Sequence, residues 1–205
     1  MERRDDMKQI LFATKNPAKV RRFREKLRNR GIDMISLNEK NISIEVEENG
    51  KDAISNALMK ARAYYETSGM TTIAMDDNLY LENVPEDLQP GVFVRRIQNK
   101  RLNDEEMIRH YVNLVKQYGT EGKLIGKWVY GLAVIKNGIE KTYTWSKEDF
   151  YIVDTPTQKR NPGYPLNSIS IHKKLNKYFT DLTEEDKKQT KEEELDVIDF
   201  ICENV

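Results

Sequence analysis

The sequence predicts a mixed α/β protein, and two observations carry that prediction. In the first half, short apolar runs alternate with segments of helical period. In the second half, a long hairpin signature stands out instead.

Gln9–Ala13 (QILFA) is the first short buried strand. Asn16-Pro17 follows, an N-cap residue with Pro at the first helical position. Val20, Phe23 and Leu27 then recur at helical spacing among Arg and Lys, giving an amphipathic helix to about Asn29 that Gly31 ends. Ile42–Val46 alternates apolar and polar as a strand does and runs into the turn Glu47-Glu48-Asn49-Gly50. Asp52–Ser68 forms a second helix, with Ala53, Ala57 and Ala61 on one side and Ile54 and Leu58 beside them, stopped by Gly69. Thr71–Met75 is a strand ending at Asp76-Asp77. Asn103–Tyr118 is a third helix whose buried stripe is Met107, Tyr111, Leu114 and Tyr118. Trp128–Ile135 and Ile139–Trp145 flank Asn137-Gly138, the strongest short hairpin signal. Phe150–Val153 adds a strand, Thr157–Pro165 is a Pro/Gly loop, and helices near Ser168–Phe179 and Glu184–Glu203 close the chain. The Lys/Glu-rich stretch Glu184–Glu194 is a solvated helix, and no internal repeat is evident.

At 205 residues the chain suits one moderately large domain or two closely packed lobes. Hydrophobic residues make up 38% and charged ones 33%, so the charges must lie on outer faces and in one wet cleft. Lys plus Arg balance Asp plus Glu at 34 each, which removes any global field favouring nucleic acid or an anionic membrane. A polyanionic ligand must therefore meet a local cluster of cations or a metal. The single cysteine, Cys202, excludes an internal disulfide, and no Cys/His spacing suggests zinc. The apolar run in MERRDDMKQILFAT is too short for a signal peptide, and no stretch approaches the ~20 apolar residues that span a bilayer. A soluble cytoplasmic protein is expected.

Three clusters could carry chemistry. Thr14-Lys15-Asn16-Pro17-Ala18-Lys19 lies where a strand hands over to a helix, and helix N-termini suit phosphate. It lacks the glycines of a P-loop; on its own it reads as an ordinary capped helix with surface lysines. Glu48 stands in a turn, while Asn56 and Lys60, four apart, share one helix face. Alone, these are a turn glutamate and two solvent-facing polar residues. Asp76-Asp77, at a strand end, repel each other unless a cation or proton intervenes, though Asp is also common in plain turns.

Taken in order, ATKNPAK, EENG…SNALMKARA, IAMDDN and QPGVF resemble the inosine triphosphate pyrophosphatase family, hydrolases of non-canonical purine nucleotides. The family shows T-x-N-x-x-K, E-E-T-G…E-N-A…K-A-R, A-D-D-S-G and P-G. The likeness covers the first half in register, with one extra residue before Asp76, and extends faintly to the C-terminus. It implies an elongated mixed sheet with two lobes and a central cleft, and commonly a homodimer, for which the exposed hairpin region offers an interface. It further implies hydrolysis of a nucleoside triphosphate to monophosphate and pyrophosphate. Asn16, Lys19 and Lys60 would hold the phosphate chain, with Thr14 and Lys15 in the same loop. Glu48, Asp76 and Asp77 would bind Mg²⁺ (or Mn²⁺) and activate the attacking water, and Asn56 would order that shell.

The later part departs from the family. Where the family carries G-F-G-Y-D-P, this chain has Asn161-Pro162-Gly163-Tyr164-Pro165, keeping Tyr164 but losing the stacking Phe and the Asp. Phe93, Trp145, Phe150 and Tyr151 are alternative stacking residues, each equally at home in a core. Lys187 matches the family's Lys in A-E-L-x-x-E-E-K. The following S-H-R is replaced by Lys191-Glu192-Glu193, exchanging donors for acceptors. Such a site would favour a base bearing amino groups over hypoxanthine or xanthine. The competing reading is a nucleotide-binding or regulatory protein on the same scaffold with weak or no turnover. Arg96 aligns near a family arginine, and His110 and His172, on expected helices, have no metal-ligand partners.

Overall fold

The computed structural model describes residues 7–97, 100–189 and 195–205, and the backbone alone at 192–194. In chain order the elements are β1 (Lys8–Phe12), α1 (Pro17–Arg28), β2 (Ile32–Ser36), α2 (Ala53–Ser68), β3 (Thr72–Leu81) and the short strands β4 (Arg96–Ile97) and β5 (Lys100–Arg101). There follow α3 (Asp104–Tyr118), β6 (Lys123–Lys136), β7 (Ile139–Val153), β8 (Ser170–His172), β9 (Lys177–Tyr178), α4 (Glu184–Gln189) and α5 (Glu192–Asn204). The mixed α/β class is as the sequence predicts. The chain divides into two compact units, the first of Met1–Asp77, Tyr130–Trp145 and Glu192–Val205, the second of Asn78–Val129 and Ser146–Lys191.

The first unit is organised by a parallel β1-α1-β2 crossover. β1 pairs with β2 from Lys8 opposite Ile32 to Phe12 opposite Ser36, and with β3 at Leu11–Thr72 and Phe12–Ile73. Ile10, Phe12, Val20, Phe23, Leu27, Ile32 and Met34 fill one core with Val197, Ile198 and Ile201 of α5. A second cluster joins Leu11, Ala13, Ala57, Ala61, Ala74 and Ala133. The small residues of α2 let it lie close: a side chain at Gly131 on β6 would meet the Ala53 carbonyl carbon and the Ile54 nitrogen at 2.5 Å. Asp52 caps α2 by accepting from Ser55 N at 2.8 Å, and Gly69, at φ 65°, ends it in the left-handed conformation that glycine tolerates best.

In the second unit α3 starts from a complete capping box, Asn103 and Glu106 each satisfying the other's backbone N–H at 2.9 and 2.8 Å. Its buried Met107, Ile108, Tyr111, Leu114 and Val115 pack with Leu79, Leu81, Leu124, Phe150 and Ile152. β8 pairs antiparallel with β7, and β9 with β8.

Four expected elements need correction. Ile42–Val46 alternates in burial, yet it is extended chain outside any ladder among the described residues; Ile42, Ile44 and Val46 rest on the alanine-rich cluster instead. The strand is the preceding Ile32–Ser36, whose Asp33 interrupts the apolar run. β3 does not end at the paired aspartates but continues through them to Leu81. Phe150–Val153 is the end of β7 rather than a separate strand. Ser168–Phe179 is not helical: it forms β8, a turn with Asn176 at φ 49°, and β9, so His172 lies on a strand.

Candidate active site

β1 hands over to α1 through Ala13–Asn16. The Thr14 hydroxyl accepts from the Asn16 N–H at 3.1 Å, and Asn16 Oδ1 accepts from the Ala18 N–H at 2.9 Å. With Pro17 at the first helical position, these bonds fix the first turn. Lys19 then meets Asp77 as an ion pair. Lys15 is exposed.

Asp76 and Asp77 are neighbours on a continuous strand, and successive side chains of a strand point to opposite faces. They accordingly find different partners. Asp77 pairs with Lys19, whereas Asp76 Oδ1 lies 3.3 Å from Lys60 Nζ. The same nitrogen lies 3.3 Å from Glu48 Oε2 and donates to the Met75 carbonyl at 3.1 Å. Glu48 and Asp76 thus converge on one ammonium that is largely withdrawn from solvent, its side chain 12% exposed.

Asn56, one turn before Lys60, is buried and holds the turn that carries Glu48: its Oδ1 accepts from the Gly50 N–H at 2.8 Å. A side chain at Gly50 would approach that oxygen to 2.7 Å. Asn56 Nδ2 is buried with no hydrogen-bond partner among the described residues. An orphan donor of this kind costs about 1–3 kcal/mol.

The charges tune one another. Burial pushes the Asp76 carboxyl up; Lys60 and Lys19 pull it down and Asp77 and Glu48 push it up again, leaving it above the ordinary range. Burial also acts upward on Asp77, but the charge and hydrogen bond of Lys19, with Lys60 and Arg22, outweigh it and hold the group below its usual value. Among the described residues, no three Asp, Glu, His or Cys side chains lie close enough together to hold one ion. The acids share a field, in two partnered sets rather than a single cage.

Arg22 was not singled out by the sequence reading. It follows Lys19 by one helical turn, the spacing that could have flagged it, and its guanidinium lies over the Phe23 and Tyr130 rings, 5.3 and 5.8 Å from their centroids.

The remaining candidates belong to the second unit or fall outside it. Gly163 takes a left-handed φ of 88°, and its N–H donates to Asp104 Oδ2 at 3.4 Å, tying the loop before Tyr164 to the first residue of α3. Arg95 holds the other Asp104 oxygen at 2.7 Å. Lys187 pairs with Glu184 at 2.6 Å on exposed α4. Lys191 lies outside the described residues, and so do the side chains of Glu192 and Glu193. Phe150 is core, and Trp145 stacks on Tyr130 with ring centroids 4.9 Å apart. Arg96 lies over the Phe93 ring. His172 is buried, with Nδ1 accepting from Leu175 N–H at 3.3 Å and Nε2 facing Asp149 at 3.3 Å, a structural arrangement.

Residues 10–194 match the Ham1 family. The chain is 32% identical over 181 residues to the dITP/XTP pyrophosphatase of Bacillus subtilis (strain 168), covering 88% of this chain and 89% of that protein. It is 30% identical over 187 residues to the dITP/XTP pyrophosphatase of Aquifex aeolicus (strain VF5), covering 87% of each. Among solved structures, the Staphylococcus aureus Ham1 protein aligns with a TM-score of 0.69 at 23% identity, over 89% of this chain and 90% of that one. At that identity the likeness speaks for the fold. No helix among the described residues is long and apolar enough to cross a membrane.

Proposed function

The chain belongs to the Ham1 family, and on that premise we propose that it hydrolyses purine nucleoside triphosphates to the monophosphate and pyrophosphate. The observation that carries this reading is the convergence of Glu48 and Asp76 on Lys60, with the Asp77–Lys19 ion pair at the next position of the same strand.

In this reading the N-terminal turn of α1, with Thr14, Asn16 and Lys19, and Lys60 from α2 grip the phosphate chain. Glu48 and Asp76 would hold Mg²⁺ or Mn²⁺: two carboxylates already turned toward one cation fit an ion that takes one or two carboxylates and completes its shell with water and phosphate oxygens. Such an ion, when bound, neutralises phosphate charge and lowers the pKa of water. Asp77, kept ionised by Lys19, accepts a hydrogen bond from the attacking water and aims it. The water oxygen bonds to the α-phosphorus as one of its protons passes to the Asp77 carboxylate, the α–β anhydride bond breaks, and pyrophosphate leaves with its negative charge facing the two lysines.

The Bacillus subtilis and Aquifex aeolicus relatives are dITP/XTP pyrophosphatases. Glu192 and Glu193, standing where the family has His and Arg, support a preference displaced toward a base bearing amino groups, because ionised carboxylates only accept. Pyrophosphate release measured on a panel of nucleoside triphosphates tests both levels. Turnover that needs Mg²⁺ and vanishes in Asp77→Ala is the expected result; nucleotide binding without turnover would leave a binding protein on this scaffold. A clear preference for inosine or xanthosine triphosphate would overturn the displaced specificity alone.

A further inference from the structure

The geometry points to Lys60 as a built-in competitor for the metal, a side chain whose ammonium must leave Glu48 and Asp76 before a divalent ion can take them. This rests on the metal-dependent reading above and goes beyond it. A lysine ammonium has three N–H donors and no acceptor. Lys60 Nζ hydrogen-bonds Glu48 Oε2 at 3.3 Å and the Met75 carbonyl at 3.1 Å, and it pairs as an ion with Asp76 Oδ1 at 3.3 Å. The ammonium thus bridges both carboxylates and is tied to the strand carbonyl, and a divalent ion can take those carboxylates only as these contacts break.

The two carboxylates that Lys60 bridges are the ones that would ligate the ion, so one pair of acids serves two cations. Metal loading and release of Lys60 toward the phosphates become a single exchange. Because Met75 precedes Asp76 on β3, and Asn56 fixes the Glu48 turn through Gly50, the backbone on both sides of the ammonium is anchored. The side chain that can yield is Lys60 itself, whose four-carbon stem leaves α2 with rotatable bonds to spare. The protein alone should then bind divalent ions weakly. A triphosphate, by drawing Lys60 away, should raise the affinity, a coupling that follows from two ligands displacing one contact.

The test is Mn²⁺ binding to the nucleotide-free protein, followed by electron paramagnetic resonance of the free ion, for the wild type, Lys60→Met, Lys60→Gln and Lys60→Arg. Lys51→Met serves as the control for general charge, being exposed and three residues from Glu48. We expect Mn²⁺ affinity to rise at least tenfold in Lys60→Met and Lys60→Gln, and to stay within about threefold of wild type in Lys60→Arg and Lys51→Met. The Mn²⁺-induced rise in Tm, read on the same proteins, should be larger in Lys60→Met and Lys60→Gln than in wild type, and shows that they fold. Unchanged Mn²⁺ affinity in both neutral variants, while Asp76→Asn loses binding, would overturn the competitor role and leave the metal reading standing. No Mn²⁺ binding by any protein, with metal-independent pyrophosphate release, would overturn both.

Discussion

Asp76 and Asp77 are adjacent in sequence but answer to different lysines, and this division sets what each substitution does. Asp77 is held ionised by Lys19, so Asp77→Ala should reduce pyrophosphate release by about 10²–10⁴-fold. Rates under saturating substrate check it; a loss below threefold would remove Asp77 from the reaction. Away from the site, Glu39 accepts from the Ser36 hydroxyl and N–H and pairs with Arg24, which lowers its pKa to about 2. A carboxyl lowered on folding stabilises the protein above its unfolded pKa and loses that contribution as pH falls through the folded one. Wild type should therefore lose stability between about pH 4.5 and 2 more steeply than Glu39→Gln, as urea melts across that window would show. The residue types of the site were legible in the sequence: a helix-capping Asn, an i, i+4 pair and two acids. Their pairing was not, because it depends on β3 running on past Asp77. Leu79 and Leu81, both buried, carried the alternation that could have extended the strand.

At the scale of elements, α2 positions Asn56 and Lys60 only because it lies close against β6 at Gly131. Gly131→Ala would drive a methyl group into the Ala53 and Ile54 backbone, so we expect about 1–3 kcal/mol of destabilisation by urea denaturation, together with a raised KM as Lys60 shifts. Replacement without effect on either would show that α2 has room to move. In the second unit, Asn103→Ala removes half of the capping box on α3 and should cost about 0.5–2 kcal/mol in the same assay, with KM unchanged. Helices with complete caps and stop signals were readable: Asn16-Pro17, Asp52 to Gly69, and Asn103 each mark a real boundary. The Asn137-Gly138 hairpin was equally clear, both residues taking positive φ (51° and 74°), though its strands run further than their apolar cores suggest. Short strands failed for a physical reason. β8 and β9 have three and two residues, too few to show a period, and their pairing with β7 is a tertiary fact that local sequence does not encode.

For the molecule as a whole, the equal numbers of acidic and basic side chains mean that no overall field draws in a polyanion. Whatever selects a triphosphate must be local, and Lys19, Lys60 and the N-terminal turn of α1 are the local features gathered at Glu48, Asp76 and Asp77. Family membership was legible because the phosphate-side motifs lie in order along the first half of the chain. The later segments diverge, and there the sequence alone could name replacements without placing them. In the proposed reaction water attacks the α-phosphorus. Hydrolysis of a purine nucleoside triphosphate in ¹⁸O-labelled water tests it directly, with mass analysis of both products. Attack at that phosphorus places one labelled oxygen in the nucleoside monophosphate and none in pyrophosphate; label in pyrophosphate, or release of labelled orthophosphate, would rule it out.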